Sequence, residues 1–229
     1  VKGSVNLHVG LDKPEVVATG SIDLNKANVY LTQPGLPLKR LQGILKFNNE
    51  TISLNNARAS WFGLPVRFSL DGKQQNTGYQ VKLDLNANWP VEKLIGLGNG
   101  LMNGYLTDRL PLKAAVDLNF PAKGFNYQAE ISSDLRGVSS VLPEPFAKTV
   151  GQKWALKGQI RGDEISNLIT FGIDNKLYFN GILANDTARL THAHLIVGEH
   201  DLGLNQKDFD VSVHLNQANL NQWIPFIDH

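Results

Sequence analysis

Apolar and polar residues alternate along most of this chain, and the alternation is most regular in residues 79–89. One set of alternate positions is entirely apolar or aromatic: Tyr79, Val81, Leu83, Leu85, Ala87 and Trp89. The positions between them are Gln80, Lys82, Asp84, Asn86 and Asn88. Successive side chains of a β-strand point to opposite faces of the sheet. This segment therefore predicts a strand with one dry face and one wet face.

The same alternation recurs in short segments from one end of the chain to the other. Examples are residues 5–11, 41–47, 66–70, 112–120, 125–131, 154–160, 171–173 and 211–215. Turn-forming residues separate them, as in the FGLP stretch at 62–65, the DGKQQNTG stretch at 71–78 and the PAKG stretch at 121–124. Strands of this length joined by tight turns predict an antiparallel meander of about ten to twelve strands.

Residues 90–106 follow a helical period instead. Val91, Leu94, Ile95, Met102, Tyr105 and Leu106 approximate one stripe, and Pro90 suits the first helical position. Three glycines at 96, 98 and 100 cost about 1 kcal/mol each in a helix. A short or broken amphipathic helix is therefore predicted here. A second helical or irregular patch is expected at 142–152, and a third helix at 220–227.

A faint internal repeat, Leu-x-x-Ala-x-apolar, occurs at residues 24–29, 54–59, 190–195 and 215–220. Its three-residue offset breaks strict alternation, so each copy predicts a β-bulge or a strand end. Repetition of such a unit favours an array over a closed domain.

The predicted dry face is larger than the predicted helix can cover. About eleven strands spaced ~4.8 Å apart extend roughly 50 Å. A helix of about 16 residues is only ~24 Å long. Three arrangements could cover the rest of this face: a sandwich, a barrel, or a trough filled by an apolar ligand.

Composition removes several classes of function. The 22 basic and 21 acidic residues are interspersed, which argues against a nucleic-acid-binding surface. The chain has no cysteine, so disulfides, thiolate metal sites and cysteine nucleophiles are excluded. No apolar run approaches the roughly 18 residues of a membrane span. Because the chain begins at Val1 and not at a methionine, we interpret it as a piece of a longer protein.

Candidate reactive residues are few. His192 and His194 alternate on one strand and project from one face, where Glu199 or Asp201 could complete a metal site. A polar outer face opposite Ala193 and Leu195 explains the same histidines, so the metal site is the lesser alternative. No nucleophile elbow and no phosphate-binding glycine motif is present. We therefore predict no enzyme activity and no cofactor.

Three segments resemble the AsmA-like envelope proteins of the YhdP type, which are more distantly related to TamB. The first is LPLKRLQGILKFNNETISLNNARASWFGLPVRFSLDGK at 36–73, with its L-x-G-x-L-x-F strand and W-F-G-x-P turn. The others are SSDLRGVSSVLPEPFAKTVGQKW at 132–154 and LNQANLNQWIPF at 215–226. These motifs are strand and turn patterns without a catalytic residue.

The resemblance implies a long curled antiparallel sheet that forms an open groove, with one short amphipathic helix. The family's implied function is non-enzymatic phospholipid transport between the inner and outer membranes, which supports the outer-membrane barrier. Residues 1–229 would be one periplasmic groove segment, with a candidate repeat boundary near 90–111. Membrane contact, including the inner-membrane tether, would lie outside this chain, and open sheet ends could self-associate. The alternative is a structural or protein-binding β-sandwich module of an envelope protein.

On this interpretation the dry-face residues contact lipid. The predicted lining comprises Leu7, Val9, Leu45, Phe47, Phe68, Leu70, Val81, Leu83, Leu85, Val116, Leu118, Phe120, Tyr127, Ile131, Leu156, Ile160, Phe171, Ile173, Val213 and Leu215. The predicted plug helix would insert Leu94, Ile95, Leu101, Met102 and Tyr105 into the groove.

Overall fold

A computed structural model describes residues 2–9, 16–31, 36–95, 104–187, 189–198, 209–215, 217 and 220–227. The first seven strands are β1 (Lys2–Val9), β2 (Val16–Leu31), β3 (Leu36–Asn48), β4 (Thr51–Trp61), β5 (Leu64–Gln75), β6 (Gly78–Pro90) and β7 (Leu106–Pro121). The others are β8 (Asn126–Ser133), β9 (Val138–Ser140), β10 (Leu156–Asp163), β11 (Ser166–Ile173), β12 (Leu177–Ala184), β13 (Arg189–Gly198) and β14 (Phe209–His214). The helices are α1 (Val91–Ile95) and α2 (Leu220–Ile227). The mainly β fold class is confirmed.

The strands belong to one sheet whose order follows the chain, except that β9 pairs only with β7. Among the described strands, β1 and β14 each have a single neighbour, so the sheet is not closed. Most pairs are antiparallel, as predicted, but β13 and β14 run parallel, with Ala193 beside Phe209 and Gly198 beside His214. The β13–β14 pair is therefore an exception to the predicted antiparallel arrangement. A parallel neighbour needs a crossover connection rather than a tight turn.

The chain divides into two compact units. Unit 1 comprises Val1–Ala87 and Lys113–Ala129, and unit 2 comprises Asn88–Leu112 and Glu130–His229.

The Leu-x-x-Ala repeat marks bulges, as predicted. The pairing register shifts between Leu24 and Ala27 of β2 and between Leu54 and Ala57 of β4. The residue before each alanine has positive φ, 53° at Lys26 and 51° at Asn56. The added residue returns the alanine to the leucine's face, so the apolar face continues through the bulge. Opposite the third copy, the register shifts between Ile182 and Leu183. Half of the fourth copy, residues 216, 218 and 219, lies outside the described residues.

A short helix is present in the segment predicted at 91–106: α1 covers Val91–Ile95. Leu101 and Met102 lie outside the described residues. Tyr105 is in a turn after Gly104, whose φ is +82°. Leu106 begins β7 and pairs with Ser140 of β9. Strand pairing therefore replaces helix at the C-terminal end of the predicted segment.

The other two helix predictions have different outcomes. Residues 142–152 form irregular turns, and α2 occupies 220–227 as predicted. In the part of the chain that the structure describes, neither helix is long and apolar enough to cross a membrane.

Candidate functional site

Unit 1 carries a continuous apolar face built from cross-strand rows. One row runs through directly paired residues of β2 to β6: Ile22, Leu45, Leu54, Leu70 and Leu83. The next row holds Gly20, Phe47, Ile52, Gly72 and Val81. Directly paired residues place their side chains on the same face of a sheet. The sequence-predicted lining residues of β3, β5 and β6 therefore lie together on this face.

The opposite face of unit 1 is polar. Lys82 of β6 lies 3.9 Å from Asp117 of β7, and both side chains are exposed. Because side chains alternate, Val116 and Leu118 lie on the apolar side of β7. Phe120 extends this side, with its ring centroid 6.4 Å from that of Phe125.

Tyr127 continues the aromatic group. Its ring stacks on Phe125 at 6.5 Å, and burial raises the pKa of the Tyr127 hydroxyl. The predicted lining residue Tyr127 is thus removed from water on one side.

The apolar face of unit 1 is only partly covered. Phe68 and Val81 are buried, at 6% and 9% exposure. The other predicted lining residues of β3 and β5 to β7 remain partly accessible: Leu45, Phe47, Leu70, Leu83, Leu85, Val116, Leu118 and Phe120. Leu7 and Val9, on the end strand β1, are 69% and 56% exposed. The face therefore keeps apolar surface available for contact.

Unit 2 carries a second apolar face of the same construction. One row crosses β10 to β14 through Leu156, Ile173, Leu177, Val197 and Val213. The next contains Gly158, Phe171, Phe179, Leu195 and Val211. A third begins with Ile160 and Ile169. Phe171 and Phe179 stack with ring centroids 5.1 Å apart.

The ends of this second face differ in exposure. Ile131 of β8 lies beside Gly158, 3.7 Å from the position that a Cβ would occupy there. Leu215 follows the end of β14 and is partly accessible. Val213 is 60% exposed on the end strand, so the face becomes more open toward β14.

Residues 134–155, here called the capping segment, close one end of unit 2. Leu135 and Val138 form a buried cluster with Val91 of α1, and Leu106, Leu110 and Trp154 pack against it. The helical part of the predicted plug, α1, therefore packs through Val91 against the capping segment. Leu94 is partly exposed. The side chain of Ile95 lies outside the described residues.

A buried lysine stabilises the capping segment. Lys148 is 4% exposed and donates to the carbonyl oxygen of Val138 at 2.7 Å. Its ammonium lies 5.8 Å from the ring centroid of Trp154, and that of Lys176 lies 4.8 Å away. Desolvation lowers the pKa of Lys148, and the charge of Asp134 opposes this. Cation–π contacts from Lys148 and Lys176 thus hold the Trp154 indole within the capping segment.

The two candidate histidines lie on the face opposite the apolar rows of unit 2. His194 is buried, with Nε2 2.9 Å from Ser212 Oγ and 3.7 Å from Asp210 Oδ2. His192 Nδ1 lies 3.3 Å from Thr191 Oγ1. Within the described ranges, no group of three or more His, Cys, Asp or Glu residues could hold a metal ion. Glu199, His200 and Asp201 lie outside those ranges.

Sequence reasoning missed the capping segment as a structural unit. Its residues follow neither the strand nor the helix period. One signal was available in the sequence. The 132–154 motif contains Lys148 and Trp154 among apolar residues, and a lysine in such surroundings indicates a buried cation with hydrogen-bond partners.

The fold defines a mainly β protein with an open sheet, and each of its two units carries a broad, partly accessible apolar face. The chain belongs to the YhdP family: the family described as "YhdP protein" matches residues 1–229. The resemblance to YhdP-type AsmA-like proteins is thus confirmed. The chain is 32% identical over 186 residues to the "Intermembrane phospholipid transporter YhdP" of Escherichia coli (strain K12). That match covers 78% of this chain and 14% of the relative. No solved structure matches the chain.

Proposed function

We propose that this chain carries phospholipid acyl chains along its apolar sheet faces, as one periplasmic segment of a longer intermembrane transporter. The observation that carries the proposal is the run of cross-strand apolar rows that stay partly accessible, such as Leu45, Leu70 and Leu83. The E. coli relative is named an intermembrane phospholipid transporter, which supports the same class of cargo.

The mechanism is passive. Each methylene removed from water contributes ~0.8 kcal/mol. Repeated rows of similar aliphatic residues offer an acyl chain nearly equal environments at successive strands, which lowers the barrier between them. A strand of eight residues is about 26 Å long, comparable to a phospholipid. The headgroup stays in water and no bond is made or broken, so the function is non-enzymatic.

A photo-crosslinking experiment tests the cargo. Benzoylphenylalanine is placed at Leu83 or Val116 on the apolar face and, as a matched control, at Lys82 on the polar face of β6. We expect phospholipid adducts from Leu83 and Val116 in the cell envelope and few from Lys82. Mass spectrometry identifies the adducts. Adducts to protein alone at the two apolar positions would contradict the proposal and favour a structural, protein-binding module.

A charge substitution gives an independent measurement. Leu83→Glu places a carboxylate among the aliphatic rows, whereas Lys82→Glu changes charge on the outer face of the same strand. Native mass spectrometry should find less co-purifying phospholipid with Leu83→Glu than with Lys82→Glu. Equal lipid content in the two folded variants would contradict transport along this face.

A further inference from the structure

Glycines lie beneath aromatic rings on both apolar faces. A Cβ added to Gly20 would lie 2.4 Å from Cζ of Phe47, its cross-strand partner. A Cβ added to Gly72 would lie 2.7 Å from Cε1 of Tyr79. Real Cβ atoms do not approach other atoms so closely, so each ring occupies the space that a side chain would need.

The Tyr79 ring lies flat across the sheet. Tyr79 belongs to β6, Gly72 to β5 and Ile52 to β4, and Gly72 pairs with Ile52. The Tyr79 hydroxyl oxygen would be 2.8 Å from a Cβ on Gly72. Burial raises the pKa of this hydroxyl, and a hydrogen bond with the Ile52 backbone opposes the shift. The ring thus reaches from β6 over Gly72 to β4, which is possible only if it lies down on the sheet.

In unit 2 an aromatic ring also lies over a glycine, but both residues belong to one strand. A Cβ on Gly181 would lie 2.7 Å from Cζ and 2.9 Å from Cε1 of Phe179, two residues earlier in β12. The Phe179 ring is nearly parallel to that of Phe171, at an interplanar angle of 20°. Gly181 therefore lets Phe179 lie along its own strand.

We propose that Gly72 and Gly181 are specificity-determining positions. They let the Tyr79 and Phe179 rings lie flat on the sheet, which leaves room above the apolar faces for an acyl chain to lie across them. This inference rests on the proposed function. A flat ring adds one layer of about 3.5–4.0 Å, the contact distance between carbon atoms. A Cβ at the glycine would lift the ring into the space above the face, where it would displace methylenes of the bound acyl chain.

A purely structural role makes a different prediction. Aromatic rings over glycines also stabilise sheets by packing, so Gly→Ala could change stability alone. The two roles separate when bound lipid is measured per folded protein. The matched control is Gly172→Ala, because a Cβ on Gly172 would lie 3.0 Å from Cδ1 of Tyr178 on the opposite face of the same sheet region.

The experiment uses the full chain and phosphatidylglycerol with a fluorescent acyl chain. We expect Gly181→Ala to weaken probe binding about fourfold for each methylene displaced. Gly172→Ala should bind the probe like the wild type. The double variant Gly181→Ala/Phe179→Leu should recover binding, because it has no ring to lift. Gly72→Ala repeats the single-variant test in unit 1 if a unit 2 variant fails to fold. The ring-removal test is confined to Gly181, because Cγ1 of Ile52 would also lie 2.7 Å from a Cβ on Gly72.

The outcomes distinguish the inference from the proposed function. Equal binding by the wild type, Gly181→Ala and Gly72→Ala overturns the inference alone. Loss of binding in Gly181→Ala without recovery in Gly181→Ala/Phe179→Leu also overturns it. Failure of the folded wild type to bind the probe overturns the proposed function, and the inference with it.

Discussion

Trp223 of α2 meets Phe146 of the capping segment edge to face, with ring centroids 6.0 Å apart and ring planes at 90°. The indole Nε1–H also donates to the carbonyl oxygen of Glu144 at 3.3 Å. These contacts join a helix near the C-terminus of the chain to a segment 79 residues earlier in sequence. The docking of α2 therefore has a specific anchor.

Trp223→Ala should release α2 from the capping segment. An aromatic pair of this kind contributes about 0.5–1.5 kcal/mol beyond its buried area, and the hydrogen bond about another 1 kcal/mol. Amide hydrogen exchange should become faster in α2 and in residues 142–146, while β10 to β13 stay protected. Trp223→Phe keeps the ring and should show a smaller effect. Unchanged exchange in Trp223→Ala would contradict the anchoring role.

Lys148→Met should destabilise the cap. It removes a charged donor to the Val138 carbonyl and a cation beside Trp154, and relief of ammonium desolvation offsets part of this loss. We expect a net decrease of about 1 kcal/mol in the free energy of unfolding by urea. Lys157→Met, on an exposed position of β10, is the control and should change little. A Lys148→Met protein that is more stable than the wild type would mean that desolvation dominates.

Ala57→Val should overpack the unit 1 face. Ala57 is 0% exposed and lies beside Gly43 of the neighbouring strand, so its methyl group has no contact with solvent. Added methyl groups in such a site typically cost about 1–3 kcal/mol. The same substitution at exposed Ala115 of β7 should be neutral in denaturant unfolding. Equal stability of the two variants would show that the bulge at Ala57 can relax.

Asp108→Asn should remove a pH-dependent contribution to stability. Ser139 Oγ and Thr107 Oγ1 donate to Asp108 Oδ2 at 2.6 and 3.0 Å. These bonds, that from Ser139 foremost, lower the pKa of the Asp108 carboxyl from its ordinary value of 3.8. The folded state therefore prefers the carboxylate. Its contribution is complete above pH 3.8 and is lost as the pH falls through the lower, folded-state pKa.

Acid unfolding of wild-type and Asp108→Asn proteins measures this contribution. Their difference in the free energy of unfolding should be constant near neutral pH and should shrink at acid pH. Asn suits the position because Asp108 has φ of 73°, which asparagine also tolerates. A difference that does not vary with pH would contradict the assignment.

Alternation alone predicts much of this fold. It places Leu83 and Leu85 on one face and Lys82 on the other, and the observed pairing of β5 with β6 agrees. The Leu-x-x-Ala offset predicts the bulges at 24–27 and 54–57 because only an extra residue keeps both apolar side chains on the same side. These features are local consequences of a two-residue period.

Other features depend on information that local periodicity does not contain. Parallel and antiparallel strands share the same alternation, so the direction of β14 cannot be inferred from Val211 and Val213. The spacing of Met102 and Tyr105 in the sequence suggests a helix, but from Leu106 onward the chain forms β7 and pairs with β9. Local spacing does not reveal this non-local pairing. A glycine such as Gly72 only interrupts the apolar pattern in the sequence. The aromatic ring that lies over it can be predicted only once the pairing of the strands is known.

The direction of β14 determines at which end of the strands the chain continues toward α2. Because β14 runs alongside β13 in the same sense, His214 emerges beside Gly198, whose N–H donates to the carbonyl oxygen of Lys176. The Lys176 ammonium in turn donates to the carbonyl oxygen of Pro145. The polypeptide thus leaves β14 next to the capping segment, which contacts Trp223. A reversed strand would have ended at the opposite end of these strands, beside Ala193, where the Asn185 side chain donates to the carbonyl oxygen of Asp163.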